Sequence, residues 1–301
     1  MSLTVYIPRY VTDEQSYDMF INCVEHIKHI KGFDTQIIVL CDNETELTKT
    51  YDKLLQQEYN NISFINSPLK GVPEFAGYYH FMMCHPSEYM VNIFANMVCS
   101  RDIDASTIIN SINKFGCYSF CYNYCNTPMF TSIYKCLKVL FPEVDFLDDY
   151  LAITTIQSDH VSAQGNQMFT SYQALLKVKE RFPSIFDKLM NFDKLSYSDY
   201  AATGLFTEQN FNRCIRAVIE HFFTQCFFKV YSYPTDDIPF VGSSESCCYG
   251  ITYANLWMFG NILTGRYKYY PLVKDYHRYI HCNDSRLCNC YNKFSNNSVI
   301  Q

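Results

Sequence analysis

The sequence predicts an α/β protein with a mostly parallel central sheet and helices on both of its faces. Short apolar runs alternate with helical patterns over about the first 65 residues, an order typical of parallel strands joined by right-handed crossovers. The run QIIVL at residues 36–40 is apolar throughout, as expected of a strand buried on both faces. Hydrophobic residues make up 48% of the 301-residue chain, which is enough for a large core.

The first hundred residues contain the clearest elements. Strands are predicted at residues 3–7, 36–40, 62–65 and 89–98. The helices between them are predicted at residues 13–32, 45–59 and 74–83. Asp13 is a suitable N-cap for the first helix, and Gly32 is expected to end it. In the second helix, the spacing of the apolar residues predicts that four side chains face the core. They are Leu47, Tyr51, Leu54 and Leu55.

The rest of the chain is less regular. Helices are predicted at residues 107–113, 129–141, 171–182, 184–190 and 207–228, and strands at 117–124 and 151–157. No repeat or low-complexity linker interrupts the chain. We therefore expect a domain at residues 1–233 and a Tyr- and Cys-rich elaboration at 234–301 packed on the same domain.

Composition excludes several classes of function. The net charge of −6 gives no overall basis for binding nucleic acid. No apolar run reaches the length of a membrane span. The chain opens on a strand-like run rather than a secretory signal, and its 15 cysteines are odd in number and irregular in spacing. These features favour free thiols in a reducing, cytoplasmic compartment and a protein that is not secreted.

Two acids follow the fourth predicted strand. Asp102 and Asp104 are one residue apart in a loop after an apolar run, and ligands of α/β proteins bind beyond the carboxyl ends of such strands. Carboxylates at that edge could hold Mg²⁺ or Mn²⁺ together with a diphosphate. The alternative is that both are solvated loop residues or helix caps.

Four other residues are candidates for chemistry. Arg9 follows the first strand and could contact a phosphate or a base, or could be a surface charge. Lys70 could reach a diphosphate from its turn, or be solvated. Asp159 and His160 follow the predicted strand at 151–157 and are candidate general bases, although loop acids are commonly solvated. No Walker or dinucleotide-binding glycine motif occurs.

Several stretches share the pattern of one known family. The strongest are IPRYVTDEQSYDMFINCVEHIK, QIIVLCDN and NISFINSPLKGVPEFAGYYHF, and the weaker ones are GNQMFTSYQALLKVKERFPSIFDKL and FNRCIRAVIEHFF. They resemble the glycosyltransferase-like proteins of large DNA viruses, which adopt the GT-A nucleotide-sugar fold. The resemblance implies that Asp42 lies near the base of a nucleotide. It also implies that the segment containing Lys70 and Glu74 lies near the donor.

The resemblance also implies a metal-assisted reaction. A nucleotide-sugar would donate its sugar to a hydroxyl of a glycan or protein acceptor, with Mn²⁺ or Mg²⁺ bound by an acidic motif. This chain departs from the pattern at residues 94–96, where Ala95 stands in place of an acid. Either Asp102 and Asp104 replace the motif, or the protein is an inactive relative that serves as a binding or virion component. The aromatic tail could form an acceptor groove or the interface of a homo-oligomer.

Overall fold

The computed structural model describes residues 1–95, 97–99, 102–119, 122–125, 135–142, 160–163, 167–191, 194–209, 211–231 and 251–253. Its strands are β1 (Ser2–Arg9), β2 (Ile30–Lys31), β3 (Asp34–Cys41), β4 (Ile62–Asn66), β5 (Tyr89–Asn92), β6 (Met97–Cys99), β7 (Ile103–Asp104), β8 (Cys117–Ser119), β9 (Tyr122–Cys125), β10 (His160–Ala163), β11 (Met168–Ser171) and β12 (Ile251–Tyr253). Its helices are α1 (Glu14–His26), α2 (Glu46–Glu58), α3 (Pro73–Cys84), α4 (Ala105–Phe115), α5 (Tyr172–Arg181), α6 (Pro183–Met190), α7 (Tyr197–Tyr200) and α8 (Phe211–Val230).

A six-stranded sheet lies at the centre of the described part of the chain, in the order β4-β3-β1-β5-β11-β8. The first four of these strands run parallel, and β11 is antiparallel to both of its neighbours. In the longest pair, β1 and β3 are in register from Ser2 opposite Asp34 to Arg9 opposite Cys41. The predicted mostly parallel sheet is therefore confirmed.

Helices cover both faces of this sheet, as predicted. Side chains of β1 alternate between two cores, with Tyr6 in one and Val5 and Ile7 in the other, because successive residues of a strand point to opposite faces. The core that contains Tyr6 is shared with α3, α5, α6 and α8. The other core is shared with α1, α2 and α4.

Local signals explain how the first helices begin. Asp13 accepts a hydrogen bond from the Ser16 backbone N–H at 2.8 Å, and the Ser16 hydroxyl lies 3.0 Å from the Asp13 N–H. This reciprocal arrangement is a capping box, and Thr45 forms the same arrangement with Thr48 at the start of α2. Both caps use side chains that the sequence places just before an apolar pattern.

Some boundaries and orientations differ from prediction. The first helix ends at His26, and residues 27–31 form a 3₁₀ turn and β2 before Gly32. The predicted strand at 89–98 is divided into β5 and β6, and β6 pairs with β12 rather than with the central sheet. Tyr51 and Leu54 are 47% and 54% exposed, because α2 buries a narrower face than its apolar pattern suggested. The predicted strand at 151–157 and nearly all of residues 234–301 lie outside the described residues.

Candidate functional site

The sheet order identifies where a ligand would bind. The chain leaves β1 to form β3 and β4 on one side, and later places β5 and β11 on the other. Ligands of open α/β sheets bind beyond the carboxyl ends of the strands at such a reversal. We call the loops at residues 10–13, 42–45 and 67–72, which follow β1, β3 and β4, the strand-end site.

Two of these loops are joined by direct hydrogen bonds. The Asp42 N–H donates to the Arg9 carbonyl at 3.0 Å. The Asn43 side chain accepts from the Val11 N–H at 2.9 Å and donates to the Val11 carbonyl at 2.6 Å. Asn43 therefore organises the site, although the sequence analysis did not select it. The sequence feature that could have identified Asn43 is an Asn that follows an Asp at the end of a strand. Such side chains commonly form hydrogen bonds with the backbone of a loop.

Asp42 links this pair of loops to the third. Its Oδ2 accepts a hydrogen bond from the Gly71 N–H at 3.1 Å. Its Oδ1 is buried and has no hydrogen-bond partner among the described residues. Gly71 has a φ of +71°, which glycine adopts without the steric cost that a Cβ would bring. The structure thus brings Asp42 beside the loop that carries Lys70, whose side chain is exposed.

The same loop leads into the amino terminus of α3. Ser67 donates its N–H to the Cys41 carbonyl at 2.9 Å, which fixes the loop against β3. Val72 occupies the N-cap of α3 without a side-chain hydrogen bond, and Pro73 is the first helical residue. Helix amino termini favour anions. Glu74 lies in the first turn, and its side chain is outside the described structure.

Arg9 has a different environment from either of the two that were predicted. It is 2% exposed, and its guanidinium donates to Asp52 at 2.6 and 2.8 Å. Burial disfavours the charged guanidinium, but the hydrogen bond and charge of Asp52 raise the pKa of Arg9 above its ordinary value. Arg9 is therefore neither a surface charge nor exposed to a ligand. It connects β1 to α2 beneath the strand-end site.

The loop after β5 is apolar where the resemblance implied an acid. Phe94 donates its N–H to Gln167 Oε1 at 2.9 Å, and Phe94 and Ala95 pack against the core that contains Val5. Asn92, at the end of β5, donates to the Pro73 carbonyl at 3.2 Å. A carboxylate is therefore not provided by residues 93–95.

The expectation that Asp102 and Asp104 lie beyond the carboxyl ends of the strands was wrong. Asp102 directly precedes β7 and Asp104 is the last residue of β7, which pairs with β2 so that Lys31 lies opposite Asp104. Residues 32–33 separate β2 from the start of β3. Since β3 rises about 3.3 Å per residue over its length, Asp42 is roughly 25 Å from this edge. The cause is the path of the chain after β5, which packs β6 along α1 back toward the amino edge.

At that edge Asp102 has protein partners. It lies 2.7 Å from His29 Nδ1 and 3.9 Å from Lys31 Nζ. The hydrogen bond with His29 and the charge of Lys31 lower the pKa of this exposed carboxyl. Asp104 is the N-cap residue of α4, but its side chain makes no capping hydrogen bond. Asp102 and Asp104 therefore fit the alternative prediction, that they are loop acids near the start of a helix. They do not share a site with Asp42.

The metal that the resemblance implies does not fit the described strand-end site. Among the described residues, no three or more His, Cys, Asp or Glu side chains are grouped so that they could share an ion. The strand-end loops contain three acids, but Asp13 caps α1 and Glu44 is exposed. The side chain of Ala95 has no oxygen ligand to offer. We therefore derive no step that passes through a metal.

The two proposed general bases remain predictions. Asp159 lies outside the described residues. His160 is the first residue of β10, opposite Cys125 of β9, and β10 packs against α8. His160 was predicted in a loop after a strand and instead lies within β10, and its side chain is outside the described structure.

Comparisons with known proteins complete these observations. No family model and no curated protein matches the chain. Solved structures that match part of the chain include an apo structure of the bifunctional glycosyltransferase WbbM, at 14% identity and a TM-score of 0.40, over 77% of this chain and 37% of that one. Residues 1–349 of TarS from S. aureus match at 15% identity and a TM-score of 0.35, over 63% of this chain and 55% of that one.

The chain thus spans about a third to a half of the structures it matches. Identities and TM-scores at this level do not transfer a function or a site to this protein. Among the described helices, none combines the length and apolar character needed to cross a bilayer.

Proposed function

We propose that this protein binds a nucleotide-sugar at the strand-end site and transfers the sugar to an acceptor hydroxyl. The observation that supports this proposal most directly is the carboxylate of Asp42. One oxygen is held by the Gly71 N–H at 3.1 Å, while the other is buried without a partner among the described residues. A buried carboxylate oxygen without a donor is costly, so this position favours a ligand that supplies an N–H or O–H group.

A nucleoside has donors of this kind. The N–H on the edge of a base, or a ribose hydroxyl, could donate to Asp42 Oδ1, as the sequence resemblance also implies. The Gly71 N–H holds the Asp42 carboxylate, and the Arg9 carbonyl holds the Asp42 backbone N–H. The carboxylate would therefore need little reorganisation on binding. Such preorganisation lowers the entropic cost of recognition.

The diphosphate would then lie toward the loop after β4. Lys70 is exposed there, and the amino terminus of α3 begins three residues later. An ammonium group and a helix dipole both stabilise negative charge. During sugar transfer the leaving diphosphate gains charge, and basic side chains can stabilise it. Lys70 is therefore assigned to the diphosphate, and Asp159 and His160 stay as candidates to accept the proton of the acceptor hydroxyl.

A second function is favoured by Ala95. If the acid of the expected motif is lost without replacement, the protein would bind a nucleotide-sugar but not transfer the sugar. It would then act as a binding or structural component. The two functions share the same donor site and differ in turnover, so they can be separated by one enzyme measurement.

The first experiment measures binding of uridine and guanosine diphosphate sugars by calorimetry, with Mn²⁺ or with EDTA. A hydrogen bond to a charged group contributes about 1.5–3 kcal/mol, so Asp42→Asn should weaken binding by roughly 10- to 150-fold. Glu44→Gln removes an exposed acid from the same loop and serves as the matched control. Lys70→Ala should weaken binding of the diphosphate sugar and leave binding of the free nucleoside unchanged.

Each outcome has a defined meaning. If folded wild-type protein binds none of these donors, the proposed function is wrong. Equal affinities for wild type and Asp42→Asn would contradict the role of Asp42. Binding accompanied by release of nucleoside diphosphate in the presence of glycan acceptors supports the transferase, and binding without any release supports the inactive alternative. Dependence of either signal on Mn²⁺ would show that a metal takes part.

A further inference from the structure

A second cluster of polar side chains lies on α3, away from the strand-end site. His80 and Cys84 are four residues apart and share one face of the helix. Since a helix rises about 1.5 Å per residue, Cys84 lies roughly 16 Å along the axis from Pro73, where α3 begins. The cluster therefore belongs to the opposite edge of the sheet and is independent of the proposed function.

The spacing of His80 and Cys84 matches that of two metal ligands. His80 Nε2 and Cys84 Sγ are 3.6 Å apart. A metal bonded to nitrogen at about 2.0–2.1 Å and to sulfur at about 2.3 Å, with a tetrahedral angle between them, separates its two ligands by about 3.6 Å. Cys84 is exposed and His80 is partly exposed, so an ion from solvent can reach both atoms.

Tyr6 supports this geometry from the core. Its hydroxyl lies 2.9 Å from His80 Nδ1, and the rest of its side chain is buried. A histidine that binds a metal through one nitrogen nearly always donates its other N–H to a neighbouring group, which fixes the ring. Tyr6 provides an acceptor for that bond.

The thioether of Met83 is a candidate third ligand on the same side of α3. Met83 is three residues after His80 and is 63% exposed, so its thioether is accessible from solvent. Residues i, i+3 and i+4 of a helix are neighbours, so its thioether can reach the ion bound by His80 and Cys84. Met82 points elsewhere and packs against the core.

We propose that His80, Met83 and Cys84 form a binding site for a soft metal ion, with Cu(I) as the ion that fits best. Thiolate and thioether ligands favour Cu(I), and imidazole also binds copper. Hard ions such as Mg²⁺ and Ca²⁺ prefer oxygen ligands, which these three side chains lack. Coordination positions not filled by the protein are open to solvent.

The test measures how Cu(I) protects Cys84 from alkylation. The full-length protein is treated with iodoacetamide under anaerobic conditions, with Cu(I) supplied from a chelator buffer, and the Cys84 peptide is quantified by mass spectrometry. Cu(I) should slow alkylation of Cys84 at least about tenfold, because only the free thiolate is a nucleophile. Reading one peptide separates this site from the other cysteines of the chain.

Variants identify the ligands. His80→Gln and Met83→Leu should each raise the Cu(I) concentration needed for half-protection, and Tyr6→Phe should raise it by about 10- to 100-fold. Met82→Leu is the matched control and should behave as wild type. Equal alkylation with and without Cu(I) would overturn the proposal. Protection that persists in both His80→Gln and Met83→Leu would also overturn it, since the thiol alone would then account for the effect. Met83 is exposed, so its replacement tests the site without disturbing the core.

Discussion

Replacement of Asp52 by alanine should destabilise the protein by about 3 kcal/mol, because it leaves Arg9 buried without its counter-ion. The side chains of Arg9 and Asp52 are 1% and 17% exposed. Asp52 accepts two hydrogen bonds from Arg9, at 2.6 and 2.8 Å, and a third from the Tyr17 hydroxyl at 3.1 Å. Removing one partner of a buried ion pair typically costs about 3–5 kcal/mol.

The lower end of this range is expected because Arg9 keeps other contacts. Its Nη2 also donates to Cys41 Sγ at 3.2 Å. Its guanidinium carbon lies 4.8 and 5.1 Å from the ring centres of Phe20 and Phe64, close enough for cation–π attraction. These contacts would still stabilise part of the buried guanidinium charge of Arg9 after Asp52 is removed.

The assay is urea unfolding of wild type, Asp52→Ala and the double variant Arg9→Met/Asp52→Leu. Replacing both members of a buried pair by apolar residues is often neutral or stabilising. The double variant should therefore lie within about 1 kcal/mol of wild type. A loss below about 1 kcal/mol in Asp52→Ala, as seen for exposed pairs, would refute the buried-charge explanation. A double variant less stable than Asp52→Ala would refute it as well.

Two further predictions concern packing and pH. Gly77→Ala should destabilise by about 1–3 kcal/mol, because the added Cβ would lie 2.7 Å from Asn92 Oδ1. At a solvent-exposed helix position the same change stabilises by about 1 kcal/mol. An increase in the free energy of unfolding, measured with urea, would therefore contradict this packing. Burial lowers the pKa of His26 although its Nδ1 lies 2.7 Å from the Asn22 carbonyl. The unfolded chain then binds the proton more readily, so the free energy of unfolding should decrease as pH falls below about 6.5. His26→Gln should reduce that slope, and an unchanged slope in the variant would show that other groups cause it.

Much of the first hundred residues could be predicted because the signals there are local. The capping residues Asp13 and Thr45 start α1 and α2 close to the predicted positions, and the β-branched run at residues 36–40 lies within β3. Such patterns depend on neighbours a few residues away. Asp42 and Lys70 follow two neighbouring parallel strands, β3 and β4, whose carboxyl ends lie at one edge of the sheet.

The prediction for Arg9 failed because the decisive partner is distant in sequence. Asp52 is 43 residues away, on a face of α2 that cannot be distinguished from a solvated face by periodicity alone. Asn43 was missed for a similar reason, as its bonds to Val11 cross between two loops.

The sequence by itself determined the fold class and the order of the main elements in the first hundred residues, because composition and periodicity are properties of the chain. The departure at Ala95 is defined only relative to the family that the sequence resembles. Tertiary structure alone decided where the loops lie and which charges are buried. Asp102 and Asp104 follow β5 in the chain, yet the path along α1 carries them to the opposite edge, beside His29 and Lys31. That path depends on burying an apolar surface against α1, and burial is settled by the whole core rather than by any local pattern.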